Sequence, residues 1–298
     1  MSDVPIVAVV GATASGKTAL SLDLAERLGG EIVNTDAMAI YRGMDIGTAK
    51  PPPAERRGIP HHLLDTHDPG ETVTVAEFQA EARAVIAALR DRGVVPVLVG
   101  GSALYTRAVL DRFEFPGTDP AVRSRLEAEL AEVGATAMHA RLRASDPAAA
   151  ERILPDNGRR IVRALEVGEL TGRSFTATLP SLEYADPDTV QVGVEIDRPT
   201  LDERIAARVR GMYDAGLVDE VARLGPLGRT AAAAIGYRQA AAHLSGELTL
   251  EEAVEQTTVA TRRFARRQLA WFRKDPRISW VRFDDPDRVE RAVTAVRG

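Results

Sequence analysis

Gly11-Ala12-Thr13-Ala14-Ser15-Gly16-Lys17-Thr18 decides the fold of this chain through what stands on either side of it. The apolar run Ile6-Val7-Ala8-Val9-Val10 leads in, and an amphipathic segment with apolar positions at Leu20, Leu24, Ala25 and Leu28 leads out. Strand, glycine-rich loop and helix in that order make a phosphate-binding P-loop. Glycines let the backbone fold around a polyphosphate, and exposed amides and the helix N-terminus supply positive dipole ends. Lys17 brings a mobile charge, and the Thr18 hydroxyl can reach a magnesium ion. The motif predicts that Gly11 to Thr18 hold a di- or triphosphate, with Mg²⁺ as cofactor; a glycine-rich turn that binds nothing is the plain alternative.

Outward from the loop, strands and helices alternate. Glu31-Ile32-Val33-Asn34-Thr35-Asp36 reads as a short strand that delivers Asp36 to its carboxyl end, on the rim where open α/β sheets bind ligands. A helical stretch from Val75 to Arg92 precedes a second apolar run, Val94 to Val99. From Pro116 to about Pro187 the pattern changes to charged, alanine-rich helices, Ala121–Val133 and Arg159–Leu170, with turn signals at Gly134, Ser145-Asp146-Pro147 and Thr171-Gly172. Thr189 to Ile196 reads as a strand returning to the sheet, and helices dominate from Arg198 onward. The expected fold is α/β, a P-loop NTPase-like doubly wound parallel sheet with an all-helical insertion. Its first part covers 1–115, the insertion 116–187 and the remainder of the core 188–298.

The 298 residues bury a substantial core and exceed one average domain. With no cysteine there is no disulfide, thiolate nucleophile or cysteine zinc site. No basic leader precedes the first apolar run and no stretch reaches membrane-spanning length, so a cytoplasmic protein without membrane contact is expected. A net charge of −5 argues weakly against gross nucleic-acid affinity, yet the charge is unevenly spread. From Thr257 to Lys274 the chain carries Arg262, Arg263, Arg266, Arg267, Arg273 and Lys274 with no acidic residue, and Phe264, Trp271 and Phe272 interleave them. Basic side chains at four-residue spacing on a helix suit a phosphate backbone; a solvated face with internal ion pairs is the other reading. Trp271 and Phe272 are expected in the core rather than stacked on bases. A second basic cluster, Arg159, Arg160 and Arg163, lies in the insertion.

Missing motifs narrow the field. There is no Asn-Lys-x-Asp guanine-reading signature, and the run ending at Val99 passes into Gly100-Gly101-Ser102, not into the Asp of a motor ATPase. The phosphate cradle stands without the usual hydrolysis machinery. His61, His62, Asp65, His67 and Asp68 crowd together, but adjacent histidines splay apart, and a structural loop is expected there rather than a metal site.

Several further stretches carry a resemblance. Asp36-Ala37-Met38-Ala39-Ile40-Tyr41-Arg42-Gly43-Met44-Asp45-Ile46-Gly47-Thr48-Ala49-Lys50-Pro51 is followed by Gly58 to Asp65, Val97 to Tyr105, Arg160 to Glu166, Ile235-Gly236-Tyr237 and Thr261 to Phe272. With the P-loop, and in this order, they resemble the tRNA dimethylallyltransferases, also called tRNA isopentenyltransferases. The resemblance implies transfer of a dimethylallyl group from dimethylallyl diphosphate to N6 of the adenosine on the 3′ side of the anticodon, in tRNAs that read codons beginning with U. Products would be N6-dimethylallyladenosine and diphosphate. The expected partners are a tRNA anticodon stem-loop and dimethylallyl diphosphate, and the expected state is a monomer.

On that reading the P-loop grips a leaving diphosphate, with Lys17 and Thr18 neutralising it and Thr18 holding Mg²⁺. Asp36 accepts the proton of the adenine amine; a helix N-cap is the alternative for this residue. Arg208, on the helix Leu201–Met212 with Arg204, resembles a family arginine near the diphosphate. Ser102 stands where the family usually has Thr and keeps its hydroxyl toward the tRNA. The resemblance assigns tRNA contact to Asp36, Ala37, Met38, Ala39, Ser102, Arg123, Arg159, Arg160, Ile161, Val162, Arg163, Ile235, Gly236 and Tyr237. The basic helix adds Arg262, Arg263, Arg266 and Arg267. Two other classes fit the cradle alone: a small-molecule or nucleoside kinase using ATP, with Arg159–Arg163 as its lid, and a nucleotide-gated RNA-binding module without chemistry.

Overall fold

The computed structural model describes residues 4–113, 115–175 and 181–298; Met1 to Asp3 of the N-terminal stretch and 176–180 of the expected insertion lie outside them. The chain divides into two compact units, Met1–Asp111 with Tyr184–Gly298, and Arg112–Glu183.

The first unit opens with β1 (Ile6–Val10), α1 (Lys17–Leu28), β2 (Gly30–Asn34), a two-residue edge strand β3 (His61–His62), α2 (Val75–Asp91), β4 (Val95–Val99) and α3 (Ala103–Leu110). The second unit consists of helices α4 (Pro120–Ser145), α5 (Pro147–Ala150) and α6 (Gly158–Thr171). The chain then returns as β5 (Thr189–Glu195), α7 (Arg198–Asp214), α8 (Leu217–Arg223), α9 (Arg229–Ala232), α10 (Tyr237–Leu244), α11 (Leu250–Phe272), β6 (Ile278–Arg282) and α12 (Arg288–Arg297).

The strands form one parallel sheet in the order β3-β2-β4-β1-β5-β6, with Val7 opposite both Val97 and Val190. Parallel pairing needs helical crossovers on both faces, so the central strands read as unbroken apolar runs. Alternate residues of β1 serve opposite layers. Ile6, Ala8 and Val10 pack with Phe78, Ile86 and Leu98, while Val7 and Val9 pack with Leu20, Leu24 and Val192. Thr74 and Glu77 close a capping box at the start of α2, and Thr249 and Glu252 repeat it on α11.

Helices dominate after Arg198 as expected, and one strand that the sequence reading did not single out, Ile278–Arg282, joins the sheet edge beside β5. Only Ile278 and Val281 of it are fully buried, so the strand lacks the continuous apolar run that betrays its neighbours.

In the second unit, the first helical stretch of α4 ends where expected, because the backbone breaks at Gly134, where φ is 79° and ψ 165°, and a second helical stretch follows to Ser145. Asp119 caps α4 by accepting from the amides of Ala121 and Val122, and Asn157 caps α6 through the amide of Arg160. Leu126, Met138, Leu142, Ile153, Ile161 and Leu165 give the unit a core of its own. In the first unit, the residues where the chain leaves and returns are tied together. Asp111 and Tyr184 form an antiparallel bridge, and Ala185 N donates to Leu110 O at 2.8 Å. Arg277 stacks 3.9 Å over the Tyr184 ring and donates to both Asp111 and Asp275. Among the described residues no helix is long and apolar enough to cross a membrane.

Candidate active site at the carboxyl rim of the sheet

The P-loop leaves β1 and wraps back on itself. Lys17 Nζ donates to Ala12 O at 2.6 Å, and the Ser15 hydroxyl is buried without a protein partner. Loss of water, and secondarily the Arg208 guanidinium, push Lys17 down to about 7, against the pull of the Asp36 carboxylate. Arg208, half-buried on α7, is also lowered by burial, with Asp36 opposing and Arg204 adding to the shift. Two cations and one carboxylate therefore feel one another at the carboxyl ends of β1 and β2. Asp36 is the carboxylate whose charge reaches both cations.

Asp36 caps no helix. Its Oδ1 accepts from Met38 N at 2.9 Å, and its own amide donates to Asn34 Oδ1 at 2.9 Å, a local turn that fixes the carboxyl group at the strand end. Ser102 takes the N-cap position of α3 with extended backbone, yet its hydroxyl makes no capping bond and stays available.

What holds the loop is a residue the sequence reading passed over. Gln268, on α11 and 5% exposed, accepts from Thr13 N at 2.9 Å through Oε1 and donates from Nε2 to Gly101 O at 2.8 Å. Arg204 Nε donates to Ala14 O at 2.8 Å. Gly101 is required by this arrangement, since a Cβ there would lie 2.2 Å from Gln268 Nε2. The one sequence signal for Gln268 is that it is uncharged within a run of arginines.

The segment after Asp36 forms a wall. Lys50, almost wholly buried, donates to Tyr41 O at 3.0 Å, Asp45 at 2.6 Å and Asp65 at 2.5 Å. Glu220 on α8 accepts from the amides of Asp45, Ile46 and Gly47 and, at 2.6 Å, from the Tyr237 hydroxyl. No sequence signal marked Glu220. Arg208, Ile46, Lys50, Pro52 and Met212 line a groove of about 610 Å³ between this wall and α7.

The residues expected at an RNA surface divide. In the first unit, Arg263, Arg266 and Arg267 are exposed on α11, with Arg267 placed 5.9 Å over the Phe264 ring. Arg262 turns toward α7 and donates to Asp202 O at 3.1 Å. Ala37 and Met38 are half-buried and Ala39 is buried. Ile235 is half-buried and Gly236 buried, while the Tyr237 side chain, 1% exposed, is turned inward to Glu220. Trp271 corrects an expectation in the other direction: it is 39% exposed while Phe272 is buried, because neighbours on a helix point about 100° apart.

In the second unit, Arg159 and Arg160 are exposed on the first turn of α6, whereas the side chains of Ile161 and Val162 are buried in the core of that unit. Arg123 and Arg163 converge on the fully buried Glu166. Arg123 forms an ion pair with it, Arg163 donates at 2.7 Å and the Thr118 hydroxyl at 2.5 Å. Burial alone would raise Glu166; the hydrogen bonds from Arg123, Thr118 and Arg163 outweigh it and hold the carboxyl down to about 2.

His61 Nδ1 lies 2.8 Å from Ile59 O and His62 Nε2 2.6 Å from Glu31, so each has a protein partner. Among the described residues no three His, Cys, Asp or Glu side chains are grouped to hold a metal ion. A magnesium ion at the P-loop would take the exposed Thr18 hydroxyl and draw its other ligands from phosphate oxygens and water, which suits its habit of keeping several waters.

Comparison with known proteins matches the chain as a whole. A family model described as IPP transferase matches residues 39–275. A tRNA dimethylallyltransferase from Nocardioides sp. is 71% identical over 296 residues, covering 98% of this chain and 96% of that protein. One from Streptomyces coelicolor is 57% identical, covering 97% of each. The crystal structure of the full-length tRNA isopentenylpyrophosphate transferase from Bacillus halodurans superposes with a TM-score of 0.70 at 39% identity, covering 98% of this chain and 94% of that one. A eukaryotic dimethylallyltransferase acting on tRNA shares the fold, with a TM-score of 0.80 at 24% identity over 98% of this chain and 77% of that one. The kinase alternative draws no support from these relatives. The match along nearly the whole length, joined to the phosphate loop and its neighbouring carboxylate, makes this chain a member of the IPP transferase family, the tRNA dimethylallyltransferases.

Proposed function

We propose that the chain transfers a dimethylallyl group from dimethylallyl diphosphate to N6 of the adenosine 3′-adjacent to the anticodon in tRNAs reading codons that begin with U, leaving N6-dimethylallyladenosine and diphosphate. The observation that carries this is the grouping of Lys17 and Arg208 with the carboxylate of Asp36 at the sheet rim.

The P-loop amides, Lys17 and Arg208 bind the diphosphate and take up the charge that grows on it as the allylic carbon–oxygen bond breaks; the allyl fragment carries the complementary positive charge. The Thr18 hydroxyl would hold a Mg²⁺ ion, which when bound would supply further neutralisation of the leaving group. The apolar side of the groove, Ile46, Pro52 and Met212, suits a five-carbon chain. Adenine N6 is a weak nucleophile because its lone pair is delocalised into the ring. Asp36 accepts its proton as the new bond forms, and Ser102 orients the base. The target base leaves its stack to reach the site, at a cost of a few kcal/mol. Exposed arginines of α11 and of the first turn of α6 supply the phosphate contacts that hold the stem-loop. The chain acts in the cytoplasm as a monomer.

The test is incubation with Mg²⁺, dimethylallyl diphosphate and unmodified tRNA, then nuclease digestion and mass analysis of the nucleosides, with Asp36→Ala alongside. N6-dimethylallyladenosine is expected from the unsubstituted protein, and a loss of roughly 100-fold or more in kcat with tRNA binding retained is expected from the variant. A folded, tRNA-binding protein that makes no product refutes the reading.

A further inference from the structure

Gln268 does something unusual to the phosphate loop: it consumes one of its amides. Thr13 N, which would otherwise be free to meet a phosphate oxygen, is committed to Gln268 Oε1, and the other end of the same side-chain amide is committed to Gly101 O. One planar group thus bridges the loop after β1 to the turn after β4, in the manner of a single rung of a β-ladder. The fit is mutual. Gly101 has no room for a Cβ against Gln268, and the same absent Cβ would stand 3.6 Å from Gly11 O, the first residue of the phosphate loop. Gly100 is pressed equally hard on its other side, where a Cβ would meet the Thr35 backbone at 2.6 Å, next to Asp36. The turn that ends in Ser102 is therefore wedged between the phosphate loop and the strand end carrying Asp36, and Gln268 is the side chain that sets its register.

We infer that Gln268 is a positioning residue for the transfer step: it fixes the spacing between the phosphate loop, which holds the leaving group, and the Gly100–Ser102 turn, which with Asp36 meets the acceptor base. The inference rests on the functional reading above. Gln268 touches neither reacting group, so its loss misplaces them without removing a binding contact. A misplacement near 1 Å costs roughly 100-fold in the rate of the bound complex. Its position on α11, one residue after the exposed Arg267, also means that the helix expected to meet RNA is bonded directly to the phosphate loop.

The experiment is a double-mutant cycle on the intact chain: Gln268→Ala, Gly101→Ala and the pair together. Gln268→Ala removes the bridge, and Gly101→Ala pushes it out from the opposite side. For each, kcat and the KM values for tRNA and dimethylallyl diphosphate are measured, together with protection from thermal unfolding by inorganic pyrophosphate, which reports the cradle without any reaction. Each single variant is expected to lose roughly 100-fold in kcat, with both KM values and pyrophosphate protection within about threefold of the unsubstituted protein. The double variant is expected to fall no further than the worse single one, because both changes break the same contact. The inference is overturned by a kcat that stays within about twofold in Gln268→Ala, or by losses that add in the double variant. It is equally overturned if the whole effect lies in KM or in a lowered Tm, as a merely structural role would give. These failures are distinct from failure of the functional reading, which would show as absence of prenylated nucleoside from the unsubstituted protein.

Discussion

Lys17, Arg208 and Asp36 depend on one another in a way that no one of them shows alone. Lys17 loses water inside its loop and is pressed further down by Arg208, and only Asp36 offsets this. A bound diphosphate would bring the anionic charge that both cations lack. Replacing Arg208 with Gln is expected to weaken pyrophosphate binding by about 2 kcal/mol, roughly 30-fold, as loss of a charge-assisted contact does, while tRNA affinity stays unchanged. Isothermal calorimetry checks it, and unaltered pyrophosphate affinity would take Arg208 out of the site. Lys17, Thr18 and Asp36 were legible in the sequence because a P-loop and a strand end have fixed chemical grammar. Arg208 was legible only through resemblance to the family. Gln268 and Glu220 were not, because their partners are backbone groups of residues far away in the chain.

At the level of elements, two buried carboxylates organise the segments around them. Glu220 gathers three amides of the 45–47 turn and the Tyr237 hydroxyl, and Gly47 must be glycine there, since a Cβ would come within 2.3 Å of the Tyr237 ring. Glu220→Leu leaves those donors buried without an acceptor, with an expected loss of about 3 kcal/mol in urea unfolding. The wall between Asp36 and Lys50 would slacken, and the loss in kcat/KM should exceed what the unfolded fraction explains. Glu166 plays the corresponding part in the helical unit. Its folded-state value is held down to about 2 against an ordinary 4.5, so its ionised form stabilises the unit fully above about pH 4.5, and that contribution is lost as pH falls toward 2. Glu166→Gln is expected to cost about 2 kcal/mol at neutral pH, less than a wholly buried pair because both arginines reach solvent. The gap between variant and unsubstituted protein should close as pH is lowered through that window, and unfolding midpoints against pH measure it. A gap that stays constant would mean that Glu166 acts through shape alone.

For the whole molecule, the decisive feature is that each unit carries its own core. The helical unit packs Leu126, Met138, Leu142, Ile161 and Leu165 among themselves, and the residues flanking it in the chain, Asp111 and Tyr184, are already bridged and clamped by Arg277. Excising 112–183 and closing the gap with a short turn is therefore expected to leave a folded sheet unit. That unit should keep pyrophosphate protection and lose most tRNA affinity along with the phosphate contacts of Arg159 and Arg160. Thermal shifts with pyrophosphate and salt-dependent tRNA binding check both halves of the prediction. A shortened chain that binds tRNA as tightly as the full one would show that the insertion is not where the stem-loop is held.

The sequence by itself determined the parallel sheet, the phosphate loop, the rim position of Asp36, the helical insertion and the family. All of these follow from local runs of apolar residues, from spacing within a few residues, or from long stretches of matching order. The sixth strand escaped because two buried side chains at a sheet edge carry too weak an apolar signal. Which face of each helix lies inward also belonged to the tertiary structure. Tyr237, Ile161 and Val162 turned into cores and Trp271 turned out of one, because burial depends on what packs opposite, not on residue type. The bridges from Gln268 to Thr13 and Gly101, and from Glu220 to the 45–47 turn, were decided the same way. They join residues more than a hundred and sixty positions apart, and no local pattern encodes a hydrogen bond to a backbone that arrives there only when the sheet has formed.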